Sequence, residues 1–184
     1  MAYRNGTYVA FYAAGTSDPT ASDMKYYNLL RAWHADDDNE FYFVNSHDKG
    51  AAVRDSSSKQ RLRDVLAERL RNSKNMVLIL GQSTQFDTDW VPFEIAYAVD
   101  SCNLPIIAAY PDFEYVLAVE QKRPLWPDAL TRRIDNKTAR VIHIPFKQGP
   151  LTAAVTQFSH DSPPKTGVSY YTREAYASFG ITVR

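Results

Sequence analysis

Residues 76–80, Met-Val-Leu-Ile-Leu, form an unbroken apolar run closed by Gly81. A strand without polar alternation must be covered on both faces, which is the setting of a central strand in a parallel sheet. Residues 105–109, Pro-Ile-Ile-Ala-Ala, read the same way, and residues 140–144 supply a further strand, expected to be the last of the sheet. Two runs precede them: residues 7–13, rich in β-branched and aromatic side chains, and the aromatic run 41–44.

Parallel neighbours need a crossover, so helices must bridge the strands. Ser22 or Asp23 offers a cap to a segment in which Met24, Tyr27, Leu30 and Trp33 or His34 recur at helical spacing. Ser56, Ser57 and Ser58 offer a cap to residues 59–73. There Leu62, Val65, Leu66 and Leu70 gather on one side, while Arg61, Arg63, Glu68, Arg69 and Arg71 lie mostly elsewhere. A third helix starts near Trp90, since Pro92 is tolerated only in a first helical turn. Residues 111–137, with three prolines and Trp126, read as irregular. The expected fold is α/β, a doubly wound, mainly parallel sheet with helices on both faces. Residues 1–160 form its domain and residues 161–184 a C-terminal extension.

The chain of 184 residues is 45% apolar, enough for one buried core. Lys plus Arg equal Asp plus Glu at 21 each, so no net field draws the protein to nucleic acid or an anionic membrane, and neither is expected as a partner. There is no basic region followed by a long apolar stretch at the amino terminus and nowhere a run of eighteen apolar residues, so a cytoplasmic protein is expected. Cys102 is the only cysteine, and His34, His47, His143 and His160 fall in separate segments, so neither a disulfide nor a metal site is expected. Asp36, Asp37, Asp38 and Glu40 match no calcium-loop spacing and read as a solvated turn.

The phosphate-loop, dinucleotide-turn, nucleophile-elbow and paired-histidine zinc motifs are all absent. Ligands of doubly wound sheets sit beyond the carboxyl ends of the strands. That directs attention to residues 11–15, 45–49, 81–84 and 110–113. Glu94 stands out because the loop 81–89 carries the start of its helix beyond the central strand. Its carboxylate is expected in the first helical turn, near the crevice. An acid in a first turn also answers the helix dipole without any function. Position alone leaves both readings open.

In order, residues 41–111 run through the strand Phe-Tyr-Phe-Val, a polar loop, a helix ending in Arg-Asn-Ser-Lys, the strand Met-Val-Leu-Ile-Leu-Gly, then Ser83, Asp-Trp-Val-Pro-Phe-Glu-Ile and Pro-Ile-Ile-Ala-Ala-Tyr-Pro. This order resembles a TIR (Toll/interleukin-1 receptor) domain, with a flavodoxin-like arrangement of strands, and with the first strand the resemblance spans residues 8–144. More narrowly, the chain is similar to the TIR subunit (ThsB-type) of the bacterial Thoeris antiphage defence system. A serine, then a tryptophan with a glutamate four positions later, is met here as Ser83, Trp90 and Glu94.

The glutamate is catalytic in NAD-cleaving TIR domains, so the resemblance implies that role for Glu94. It implies substrate contacts for Phe11 and Tyr12 after strand one, for Ser46, His47 and Asp48 in the loop after strand two, and for Ser83 and Trp90. For each, a packing or loop role is the competing reading, and Trp90 also suits an assembly contact. The implied activity is that of an NAD glycohydrolase or ADP-ribosyl cyclase, with NAD as substrate and no cofactor. Its product would be a cyclic ADP-ribose isomer or related messenger that activates a separate effector. The resemblance also implies self-association, and the expectation that 184 residues are used up by one domain leaves the effector on another chain. Two rival readings are a non-enzymatic TIR adaptor and a nucleoside deoxyribosyltransferase-like enzyme. The loop 45–55 lacks the proline-containing pattern of adaptor-type TIR domains.

Overall fold

A computed structural model describes residues 4–14, 22–35, 43–44 and 56–184. Six parallel strands form one sheet in the order β2-β1-β3-β4-β5-β6. They are β1 (Gly6–Ala10), β2 (Phe43–Val44), β3 (Ser73–Ile79), β4 (Ile106–Tyr110), β5 (Val141–Pro145) and β6 (Ser169–Tyr170). Between and after them come α1 (Met24–Ala35), α2 (Ser56–Arg71), α3 (Trp90–Ala96), α4 (Asp128–Asp135), α5 (Gln148–Gln157) and α6 (Arg173–Ser178). The register sets Tyr8 beside Met76, Met76 beside Ile106, and Ile106 beside Val141.

Alternation along the strands divides the core in two. Tyr8, Ala10, Met76, Leu78, Ile106 and Ala108 face Leu62, Leu66 and Leu70 of α2, Val91 and Ile95 of α3, and Leu130 and Ile134 of α4. Val9, Val77, Ile79, Ile107, Ala109 and Ile144 face Tyr27 and Leu30 of α1, and Leu151 and Val155 of α5. The apolar runs of β3 and β4 thus have a physical cause, since helices cover both faces and every residue removes surface from water, at about 1.5–3 kcal/mol for a large aliphatic side chain.

Several expectations are corrected. The serines at 56–58 belong to α2 itself, which begins at Ser56. The strand β3 starts at Ser73, ahead of the apolar run. There the Ser73 hydroxyl donates to the Arg69 carbonyl at 2.9 Å, and Asn75 Nδ2 donates to the Val155 and Phe158 carbonyls at 3.1 and 2.7 Å, which ties the polar start of the strand to α2 and α5. Residues 111–137 are not irregular throughout, holding a 3-10 turn at Val119–Leu125 and then α4. Strand β5 is not the last, because β6 pairs with it, Ile142 to Ser169 and His143 to Tyr170.

The stretch 161–184, read from sequence as an extension, supplies β6 and α6. Tyr176 of α6 is fully buried, and its hydroxyl donates to the Val116 carbonyl at 3.2 Å and accepts from the Val116 amide at 3.1 Å. Tyr176 thus packs α6 onto the domain, while Tyr170 of β6 is 49% exposed. Among the described residues no helix is long and apolar enough to cross a membrane.

Candidate functional site

From β1 the chain steps to β2 on one side, while β3 and β4 extend the sheet on the other. Crossovers on either side of this reversal diverge, and in doubly wound sheets the gap beyond the carboxyl ends of the strands there is the usual ligand crevice. Tyr12 follows β1 at this gap, Gly81 and Thr84 follow β3, and Asp23 leads into α1.

Glu94 is carried to the α2/α3 side of the sheet by α3 and is 0% exposed. It is the fifth residue of α3, past the first turn where it was expected. The acid that meets the start of this helix is Asp87. Its carboxylate accepts the backbone amides of Asp89, Trp90 and Val91 at 2.8, 3.0 and 3.2 Å, three donors that have no partner within the helix. Asp87 thus takes the dipole role that competed with function for Glu94.

A side chain that meets Glu94 is Tyr8, which the sequence reading passed over as a strand aromatic. Its hydroxyl donates to Glu94 Oε1 at 2.5 Å across 86 positions of chain, and both groups are fully buried. Burial pushes the Tyr8 hydroxyl well above its ordinary range, and the adjacent Glu94 carboxylate adds to the rise, so the proton stays on the phenol. Arg69 of α2 lies close enough to act on Tyr8 in the opposite sense. A buried carboxylate oriented by a phenolic donor is suited to stabilise developing positive charge.

The other sequence-derived residues fall around this centre unevenly. Phe11 is 1% exposed and stacks on Tyr27 at 4.9 Å in the core beneath α1, on the sheet face opposite Glu94, so its side chain acts in packing. The strand alternation that turns Tyr8 towards Glu94 turns Phe11 away. Tyr12 is half-buried at the crevice and its carbonyl accepts the Asp23 amide at 3.0 Å. Ser83 is half-buried in the turn after β3, its carbonyl accepting from the Phe86 amide at 3.0 Å. Trp90 is half-buried under Lys59 and Arg63, at 5.7 and 5.9 Å from its ring, and both cations pair with Asp89. That arrangement fixes α3 on α2. Ser46, His47 and Asp48 lie outside the described residues.

A further polar constellation was missed. Thr84, adjacent to the expected Ser83, is fully buried, and its hydroxyl donates to Asp23 Oδ2 at 2.7 Å while accepting the Gly81 amide at 2.8 Å. Burial raises the Asp23 carboxyl above its usual range. A separate buried chain runs from Trp126 Nε1 to the Tyr110 hydroxyl at 2.7 Å, on to His143 Nδ1 at 2.8 Å, and from His143 Nε2 to the Gly167 carbonyl at 2.9 Å. A carbonyl only accepts, so Nε2 carries the proton and Nδ1 accepts from the tyrosine. Burial lowers His143 to about 4. Among the described residues no group of three or more His, Cys, Asp or Glu is placed to hold a metal ion.

A six-stranded parallel sheet, flanked by helices and carrying a buried glutamate on the helix after its central strand, defines a TIR-like α/β domain. The family model described as Thoeris protein ThsB, TIR-like domain, matches residues 8–115, more than half of the 184 residues. The chain belongs to that family, and the match takes in Tyr8, Asp23, Thr84 and Glu94 together.

Proposed function

We propose that this protein cleaves NAD, with Glu94 as the catalytic residue. The observation that carries the reading is the buried pair of Tyr8 and Glu94, an oriented carboxylate on the helix that follows the central strand. In the reaction the bond between the ribose C1′ and the pyridinium nitrogen breaks. Its electron pair goes to the nitrogen, nicotinamide leaves neutral, and an oxocarbenium-like ribose remains. Glu94 stabilises that charge and accepts from the ribose hydroxyls, as carboxylates do in glycoside cleavage. Tyr8 holds the carboxylate in place. Water attack at C1′ gives ADP-ribose and a proton; attack by a nitrogen of the same molecule's adenine gives a cyclic isomer.

The family is that of a component of the Thoeris system, which suits a small nucleotide product acting on a separate effector in antiphage defence. Self-association and a cytoplasmic site of action belong to the same reading. Because Glu94 is 0% exposed, substrate reaches it only after local opening, and a neighbouring copy is one means of holding the opened form.

The test is nicotinamide release by purified protein across a wide range of protein concentration, beside folded Glu94→Gln. Release by the wild type alone supports the reading. Release retained by Glu94→Gln, or absent from the wild type at every concentration, overturns it.

A further inference from the structure

In doubly wound sheets the ligand gap lies beyond the carboxyl ends of the strands; here the start of α1 and the turn after β3, which lead to opposite faces of the sheet, come together there. A side-chain bond joins them. Thr84 Oγ1, from the second loop, donates to Asp23 Oδ2, from the first, at 2.7 Å, with Thr84 fully buried and Asp23 4% exposed. The same Thr84 oxygen accepts the Gly81 amide at 2.8 Å, and the Asp23 amide donates to the Tyr12 carbonyl at 3.0 Å. The chain of bonds therefore runs from the end of β1, through Asp23 and Thr84, to the end of β3.

Gly81 makes the close approach possible. A Cβ at that position would stand 2.1 Å from Asp23 Oδ1, a distance no real contact reaches, and the nearest atoms belong to Asp23 throughout. Three residues from two loops thus fit one another, which a helix cap alone does not require: the capping of α1 is served by Ser22, whose hydroxyl accepts the Met24 amide at 3.2 Å, and by the Asp23 carbonyl, which accepts from Tyr26 and Tyr27. The Asp23 side chain bonds instead to Thr84, and the Tyr12 backbone also acts on it.

We propose that Asp23 and Thr84 are positioning residues, a latch that holds the start of α1 and the turn after β3 as one unit and so sets affinity for the ligand that binds beyond these strand ends. Thr84 opens the turn whose end carries Asp87, the cap of the Glu94 helix, so the latch also ties the β1 loop to the segment that delivers the catalytic carboxylate. The kinetic consequence rests on the NAD-cleaving reading above; the coupling of the loops does not.

The experiment uses Thr84→Val, which keeps shape and removes the donor, and Thr84→Ser, which restores it. Asp23→Ala breaks the latch from the other loop and serves if Thr84→Val does not fold. Amide hydrogen exchange by NMR is read at Asp23, whose acceptor, the Tyr12 carbonyl, is untouched by the Thr84 substitution, and for Asp23→Ala at Gly81. The expected result is exchange at least tenfold faster at that remote amide, with core amides of β4 unchanged, and wild-type exchange in Thr84→Ser. With NAD, the breaking variants should raise KM at least tenfold with kcat within threefold, and Thr84→Ser should restore KM. Unchanged exchange at the remote amide overturns the latch, as does an unchanged KM in a breaking variant that cleaves NAD. If the wild type cleaves no NAD, the functional reading falls by itself and the exchange arm still decides the latch.

Discussion

Tyr8 and Glu94 lie 86 positions apart in the chain and meet at 2.5 Å inside the protein, strand donor to helix acceptor. Both are 0% exposed. Tyr8→Phe removes a charge-assisted bond and leaves a buried carboxylate short of a donor, at a cost of about 1–3 kcal/mol in stability. Nicotinamide release should fall about tenfold to a hundredfold, since a misoriented carboxylate stabilises charge less well. Glu94→Gln should retain cooperative unfolding and lose release altogether. Steady-state kinetics beside urea denaturation separates the two effects; a folded Tyr8→Phe with wild-type kcat would remove Tyr8 from the mechanism.

Asp87 is the means by which α3 is aimed. Its carboxylate takes three amides at the start of the helix, so Asp87→Ala leaves them without partners and should cost about 0.5–2 kcal/mol, seen as a lower urea midpoint. Because α3 carries Glu94, kcat should fall as well. Asp87→Asn should recover most of the stability, since an amide oxygen still accepts.

The strands that could be read from sequence were those whose burial is recorded in composition. In β4 and in the part of β3 from Met76 onward both faces are covered, so the positions are apolar and the run is visible without knowing the fold. Strand β6 has two residues, half-buried Ser169 and exposed Tyr170, and no period can be counted over two positions. Helix α4 follows Pro127 and a 3-10 turn containing Pro124, and the prolines masked an apolar stripe of Ala129, Leu130 and Ile134. In the candidate site, Glu94 was legible through its place in a family pattern, whereas Tyr8 was hidden by its own strand: a tyrosine in a β-branched run is what any buried strand offers. Asp23 was read as a cap and Thr84 passed over for Ser83, because a bond between loops 61 positions apart leaves no local trace.

His143 gives the protein an acid weakness with a defined sign. Its folded value is about 4 against 6.5 for an unfolded histidine, so between these values the unfolded chain binds a proton that the folded one does not. Stability is full above pH 6.5, declines as pH falls through the window and levels off below 4, by roughly 3 kcal/mol at most. Asp23, whose carboxyl is raised, acts in the opposite sense but is common to both proteins compared. In His143→Gln, whose amide can still donate to the Gly167 carbonyl, the decline should be shallower, and the difference in unfolding free energy between wild type and variant should change by that amount from pH 7 to pH 4. Parallel pH profiles for the two proteins would show that His143 takes up its proton without unfolding.

On the proposed NAD-cleaving reading, the burial of Glu94 also bears on what becomes of the ribosyl cation. A carboxylate at 0% exposure works where water is scarce, and an oxocarbenium formed there meets whatever nucleophile is already in the pocket. The adenine of the same molecule is always present at the effective concentration set by its own tether, so capture by one of its nitrogens competes with the few waters admitted. A cyclic product should therefore exceed linear ADP-ribose, and the excess should shrink in variants that loosen the site. Tyr8→Phe is the variant of choice, because it removes no bulk beyond one oxygen and keeps Glu94. Chromatography of the products, with nicotinamide as the count of turnovers, gives the ratio directly. The same mixture, passed through a small-pore filter and added to a candidate effector, tests whether the product is a messenger. Linear ADP-ribose as the sole product, with a filtrate that activates nothing while cellular NAD collapses, would replace messenger synthesis by depletion.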